Sequence, residues 1–383
     1  LVEGQSVVRR RLLTVAIVLV AALCARAAGA EILIATAGPM TGAYAWFGEQ
    51  YQRGAGLAVA DLNAKGGVLG QSVELIVGDD FCHPDQAAAL ARKLVSDGVA
   101  FVAGHWCSHS AIPAAKVYEQ AEILMIAPGA ISSKLTDEGG PNVFRVCGRD
   151  DRQGTKVADY LADHWAGKKI AILDDGTTFG TGLANGARRR LHERGVPVAM
   201  DEAYTPGEAE YSALVSKMEA AGIEVFFVGG YHRETGLIFR QAHERGYDLR
   251  LVANSAMATS DFPMITGPEV EGTVMAAAAD ARKNPDAAEV VARFQAQGYD
   301  PPGFTLYAYA AVQVWAQAAE AAGSLDLDAV IGVMHSRKFD TVLGRIGFDA
   351  KGDVTGFDPW EWYIWQADGT YLPLEPKRRP GTG

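Results

Sequence analysis

Short apolar runs alternate with longer stretches of helical periodicity along most of this chain. Runs of strand type occupy 32–36, 73–77, 101–103, 124–127, 169–173, 196–200, 225–228 and 249–253. Between them, 48–64, 84–97, 111–121, 154–166, 181–194, 211–221 and 235–245 carry apolar residues at the three- and four-residue spacing of an amphipathic helix. Strand–helix alternation this regular predicts an α/β fold, with parallel sheets covered by helices on both faces. The nearly unbroken apolar run 223–228 fits a strand buried on both sides. Gly98, Gly222 and Gly246 each follow a helical stretch, at the position where a left-handed cap is needed.

The series breaks near 147–151 and starts again at Lys169. After Asn284-Pro285 the pattern changes to two helical stretches, 286–297 and 306–322, and then to a strand-rich close from Gly347 to Gln366. Late segments of mixed type suit a chain that crosses between two lobes several times. The expected boundaries are 31–149 plus about 279–355 for one lobe and 150–278 plus about 356–375 for the other, with 376–383 as a tail. Two domains also suit about 350 residues, more than one core usually organises.

The first thirty residues read as a cleaved signal peptide. Arg9, Arg10 and Arg11 precede an apolar run over 12–23, and Ala27-Ala28-Gly29-Ala30 supplies small residues for cleavage after Ala30. A core of about a dozen residues is too short to span a bilayer, which needs roughly 20. Cys24 raises lipid attachment as an alternative, but Leu23 stands where that chemistry wants a small residue. Removing 1–30 leaves 31 basic and 45 acidic side chains, a net charge near −14. So acidic a chain is poorly suited to nucleic acid or an anionic membrane. Export also places Cys82, Cys107 and Cys147 in an oxidising compartment, where one pair should bridge and one thiol stay buried.

Chemistry concentrates at strand ends. Gly104-His105-Trp106-Cys107-Ser108-His109-Ser110 follows the run 101–103, and Pro128-Gly129-Ala130-Ile131-Ser132-Ser133 follows 124–127. Loops at the carboxyl ends of parallel strands are where such sheets bind ligands, and helix N-termini favour anions. Together the two loops make a candidate anion clamp, although serine capping alone would also explain the hydroxyls. His105, Cys107 and His109, with Cys82 and His83, have zinc-ligand character. Cys82 and Cys107 each follow a strand in adjacent units, which suits a disulfide better. Gly176-Thr177-Thr178-Phe179-Gly180 is not a dinucleotide loop, because Asp174-Asp175 intervene and would repel a pyrophosphate. It reads instead as a strand-end loop presenting Phe179 to a cleft. Trp46, Phe47, Tyr231, Phe304 and Tyr307 also fall near strand ends or helix starts and point to an apolar cleft between lobes. A nucleophile elbow, a P-loop and a metalloprotease helix are all missing, so a secreted enzyme is disfavoured.

Ala37-Gly38-Pro39-Met40-Thr41-Gly42, Asp61-Leu62-Asn63-Ala64-Lys65-Gly66-Gly67, Gly78-Asp79-Asp80-Phe81-Cys82 and Gly104-His105-Trp106-Cys107-Ser108 together resemble the leucine/isoleucine/valine-binding proteins of bacterial branched-chain amino acid importers. Gly148-Arg149-Asp150-Asp151 and Tyr309-Ala310-Ala311-Val312-Gln313 resemble the same family, over about 31–370. The resemblance implies a type I periplasmic binding fold, two lobes joined by three hinge crossovers with solute held between them. It implies a Cys82–Cys107 disulfide, a periplasmic monomer without cofactor, and a membrane permease as partner. A ligand-sensing receptor domain of the same fold would bind in the same way.

Carried over by residue, Phe47 packs on the ligand side chain, Ser108 binds its carboxylate, and Gly129 and Ala130 lie beside it. Phe179 and Tyr231 are pocket aromatics of the second lobe, and Phe304 is an apolar wall. Two positions depart from the family. Ile131 replaces a threonine, with Ser132 adjacent, and Ser255 replaces the acid that pairs with the ligand's ammonium. An unpaired buried ammonium costs several kcal/mol. The ligand is therefore expected to be either an amino acid whose ammonium finds another acid, with Asp150, Glu234 and Asp261 as candidates, or an aromatic or short-chain carboxylate or amide without the amine.

Overall fold

The computed structural model describes residues 31–374. The predicted signal peptide and the tail lie outside the described residues. The first sheet has five parallel strands in the order β2-β1-β3-β4-β5: β1 Ile32–Gly38, β2 Val73–Asp79, β3 Phe101–Gly104, β4 Leu124–Ala127 and β5 Val143–Arg145. Its alternating side chains feed two cores. Ala35, Ala37, Val102 and Met125 pack with Ala87, Ala91, Leu94, Ala111 and Ala115, from helices Pro84–Asp97 and Ser108–Gln120. Ile34, Phe101, Ala103 and Leu124 face helices Ala45–Ala64 and Thr305–Ala322, where Phe101 stacks on Trp315 at 5.2 Å.

The second sheet is ordered β15-β14-β10-β9-β8-β6-β7. It comprises β6 Ile170–Asp174, β7 Val198–Ala203, β8 Val225–Gly229, β9 Arg250–Ala253 and β10 Val274–Ala278, with antiparallel β14 Trp360–Trp365 and β15 Tyr371–Pro373 closing its edge. A small antiparallel sheet, β11 Phe339–Thr341, β12 Gly344–Phe348 and β13 Val354–Thr355, sits beside the first sheet through the bridge Arg145–Asp353. The chain passes between the two large sheets after β5, after β10 and before β14. These are three crossovers.

The alternation read from the sequence is present, and Gly98, Gly222 and Gly246 have positive φ of 79°, 68° and 77°. Several boundaries need correction. Helices begin three or four residues earlier than the apolar spacing implies: Ala45 rather than Gly48, Ser108 rather than Ala111, Asp150 rather than Gly154, Thr178 rather than Thr181, and His232 rather than Thr235. The first turns carry polar and aromatic residues, such as Phe47, Ser108, Asp150, Phe179 and His232, that do not follow the apolar stripe marking the rest of each helix. Strand β5 is three residues long, and β10 is Val-Met-Ala-Ala-Ala, whose alanines carry little β preference. Neither stands out as a strand in sequence. Helix Leu327–Ser336 was likewise unmarked.

Candidate functional site

The earlier helix starts decide the site. Phe47 and Phe179, read as loop residues, lie in the first turns of Ala45–Ala64 and Thr178–Glu193, and Ser108 is the first residue of its helix. Thr177 caps the helix carrying Phe179, its side chain accepting from the Gly180 amide at 3.0 Å. Parallel strands deliver all these helix N-termini to the same edge of each sheet, and the two edges face one another.

Aromatic rings fill the meeting line. From the first-sheet side, Phe47 stacks on Trp106 at 3.9 Å with planes 13° apart, and Tyr44 leans on Trp106 at 5.9 Å. From the second, Phe179 stacks on Tyr231 at 4.7 Å. Tyr231 joins the two sets, 4.9 Å from Tyr44 and 5.6 Å from Trp106. His232 stands edge-on to Tyr44 at 5.8 Å. Phe304 completes the wall, 6.3 Å from Phe47, its amide held by Gln50 Oε1 at 2.7 Å. Phe47, Phe304 and Ser255 line one cavity together with Ala277, Asp280 and Tyr363.

The proposed anion loops also meet. The Ser132 amide donates to Ser108 Oγ at 3.1 Å. Beneath the loop lies Arg145, fully buried and paired with Asp353 at 2.6 Å. Its guanidinium donates to the carbonyls of Ala130 (3.1 Å) and Ser132 (2.8 Å) and to Thr136 Oγ1 (2.7 Å). Those carbonyls are therefore turned away from Ser108, toward the arginine. The Ile131 carbonyl accepts from the Asp150 amide at 2.8 Å, tying the loop to the helix that opens the second lobe. Gly129 is packed tightly: a Cβ there would come within 2.7 Å of Trp106 Cδ1 and Tyr51 OH.

Cys82 and Cys107 are joined as a disulfide, with Cα atoms 5.5 Å apart. Of the zinc-like histidines only His109 stays beside the sulfurs, its Nε2 3.6 Å from Cys82 Sγ, and those sulfurs are bonded to each other. His105 lies between Asp80 (2.6 Å) and Tyr118 (3.1 Å), and His109 reaches the Cys82 carbonyl at 2.8 Å. Cys147 is a buried free thiol against the Ala127 and Ala130 carbonyls, and burial pushes its pKa up to about 12.

Ser255 contacts Gln153 Oε1 at 3.5 Å, and among the described residues lining its cavity the one acid is Asp280, which is held by Arg282. Of the acids named from sequence, Asp261 is half exposed and 4.0 Å from His232. Asp150 is buried and accepts from the Ser133 and Asp151 amides, and burial raises its pKa. Glu234 accepts from the Gly207 amide at 3.2 Å. Sequence reasoning missed Asp175, buried at the end of β6, whose Oδ1 accepts from the Thr177 amide (2.9 Å) and hydroxyl (2.6 Å). Burial, with Asp174 and Glu234 nearby, raises its pKa to about 6. It also missed Tyr44 and His232 as cleft residues. Burial depresses the His232 pKa to about 4. The adjacent acids Asp174-Asp175 at a strand end were the available signal.

Residues 31–370 match the family described as periplasmic binding protein. A Leu/Ile/Val-binding protein homolog from Brucella suis is 41% identical over 347 residues, 90% of this chain and 93% of that one. An amino acid binding protein from Pseudomonas aeruginosa is 40% identical over 374 residues, 97% of this chain and 100% of that one. Among solved structures, a leucine binding protein from Thermotoga maritima superposes with a TM-score of 0.82 at 24% identity, over 90% of this chain and 98% of that one, a likeness of fold.

Proposed function

Because the chain belongs to the periplasmic binding protein family, we propose that it is the substrate-binding protein of an ABC importer of the branched-chain amino acid type. It captures a small amino acid or related carboxylate between its lobes and hands it to a membrane permease. The family is one of solute binders rather than enzymes. The observation that carries the reading is the ring cluster Tyr44, Phe47, Trp106, Phe179 and Tyr231, drawn from both sheets and meeting in one cleft. Relatives named for Leu/Ile/Val and amino acid binding support the solute class. A periplasmic location accords with the family and with a cleaved leader. Among the described residues no helix is long and apolar enough to cross a membrane.

In this reading Ser108 and the amides near Ser132 hold the ligand carboxylate on one lobe. Phe47, Phe304 and Phe179 enclose its side chain, and Tyr231 closes over it from the other lobe. No bond is made or broken. Closure is a population shift, favoured because the ligand gains contacts in the closed form that the open form lacks.

A second reading, a carboxylate without an α-amine, is favoured by Ser255, which leaves that pocket position without an acid. A thermal-shift series on ligand-stripped protein separates the two: leucine, isoleucine, valine and phenylalanine against their deaminated acids and benzoate-type acids. A ligand at 100 times its Kd adds about 2.7 kcal/mol of stability. No shift with any of these solutes would sink the solute reading.

A further inference from the structure

Four buried polar atoms without hydrogen-bond partners gather where β6, β7 and β8 end: Asp175 Oδ2, Tyr204 OH, Tyr231 OH and Thr235 Oγ1. Each belongs to a residue more than nine-tenths buried. They are neighbours. The Asp175 charge acts on the hydroxyls of Tyr44, Tyr204 and Tyr231, and Tyr204 lies beside Thr235. Asp175 is backed by β8 through its amide, which donates to the Gly229 carbonyl at 3.0 Å. Space for this cluster depends on glycine: a Cβ on Gly180 would fall 2.1 Å from Asp175 Oδ1, and one on Gly230 would fall 2.1 Å from Tyr204 OH.

A buried polar atom left unpaired costs about 1–3 kcal/mol, and a charged one more. One such atom is a local defect. Four together at three strand ends, one of them, Tyr231, in the wall of the cleft, are acceptors set out for a donor-rich cation. A primary ammonium has three N–H donors and a single positive charge. Glu234 adds a second carboxylate to the local field, and the neighbouring Arg233 is exposed to water. Tyr231 connects the cluster to the solute cleft, since its ring is 5.6 Å from Trp106 and 6.3 Å from His109, the residue after Ser108.

We propose that Asp175, with the hydroxyls of Tyr204 and Tyr231, forms the subsite that receives the ligand's ammonium group, so that the pocket selects amino acids over their deaminated acids. This rests on the solute reading above and deepens it. The acid missing at Ser255 is supplied from a different strand end, that of β6. The groups facing Asp175 are Asp174, Glu234, Tyr44, Tyr204 and Tyr231, and the two acids favour its protonated form. An arriving ammonium stabilises the carboxylate, so binding releases a proton and tightens as the pH rises from 5 to 7.

The test is calorimetric titration of the mature protein with leucine and with its deaminated acid, 4-methylpentanoate, using wild type, Asp175→Asn and Tyr204→Phe. Asparagine keeps the acceptor for Thr177, and phenylalanine removes only an unpaired hydroxyl, so both variants should fold. Asp175→Asn should weaken leucine binding by at least about tenfold, leave 4-methylpentanoate unchanged, and abolish proton release seen in buffers of different ionisation enthalpy. Tyr204→Phe should weaken leucine by a smaller factor. Leucine binding equally well to Asp175→Asn, or wild type preferring 4-methylpentanoate, overturns the subsite while the solute reading stands. If wild type binds neither leucine, its relatives nor their acids, both readings fall.

Discussion

Tyr44 and Tyr231 lie with ring centroids 4.9 Å apart, although one precedes the first helix after β1 and the other follows β8 in the opposite sheet. Their contact is one of the points where the two lobes touch across the cleft. Aromatic pairs of this kind contribute about 0.5–1.5 kcal/mol beyond the area they bury. Tyr44→Ala should therefore shift the protein toward an open form. The expected result is a solute affinity weaker by roughly 2- to 12-fold and a larger radius of gyration by small-angle scattering, with an unchanged far-ultraviolet circular dichroism spectrum.

Arg145 supports the loop beneath Ser108 from a fully buried position. Arg145→Met removes one of the two guanidinium partners of Asp353, which keeps Arg149 at 2.6 Å, and leaves the Ala130 and Ser132 carbonyls without the arginine's donors. Each buried acceptor left without its donor costs about 1–3 kcal/mol, which urea denaturation should register. Arg145→Lys should recover only part of the loss, because a single ammonium does not reach three acceptors in a fixed fork. Full recovery by lysine would show that charge alone matters here.

The Cys82–Cys107 disulfide closes a loop of sequence separation 25 in the first lobe. Constraint of the unfolded chain predicts a loss of roughly 3 kcal/mol when both are replaced by serine. The urea midpoint of Cys82→Ser/Cys107→Ser should fall accordingly. Adding a reductant should lower wild type to the same point and leave the double variant where it is.

His232 and Asp175 oppose each other in their effect of pH on stability. The His232 pKa is depressed in the folded protein to about 4, so between there and its unfolded value the unfolded chain binds more protons. Its contribution is lost as pH falls through that window, by up to about 3 kcal/mol. The Asp175 pKa is raised to about 6, so its folded form binds more protons and stability falls as pH rises from 4 to 6. Relative to wild type, His232→Gln should melt higher at pH 4.5 than at pH 7, and Asp175→Asn should gain more at pH 7 than at pH 4.5. Differential scanning calorimetry across pH 4–7 reads both, and parallel profiles for the three proteins would refute the assignment.

The alternation of strands and helices, the glycine caps and the strand-end position of the serine loops were legible in sequence, because each depends on residue periodicity or on the backbone freedom of a single residue. The motifs shared with the binding-protein family marked Phe47, Ser108, Phe179, Tyr231, Ser255 and Phe304, and the fold brings Phe47, Ser255 and Phe304 around one cavity and Phe179 against Tyr231. The first turns of the helices escaped periodicity, since their polar and aromatic residues do not follow the apolar stripe. Strand β10, rich in alanine, became a strand only because β9 and β14 offer it partners on both sides. Asp175 shows the limit most clearly. In sequence it is one of two adjacent acids that argue against a phosphate loop. Only the folding of β6 against β8, with Tyr204 and Tyr231 packed at the neighbouring strand ends, makes it a buried carboxyl group with one oxygen left unpaired. Sequence sets which groups are available along each strand, but the desolvation that gives a carboxylate its chemistry is a property of what distant segments pack over it.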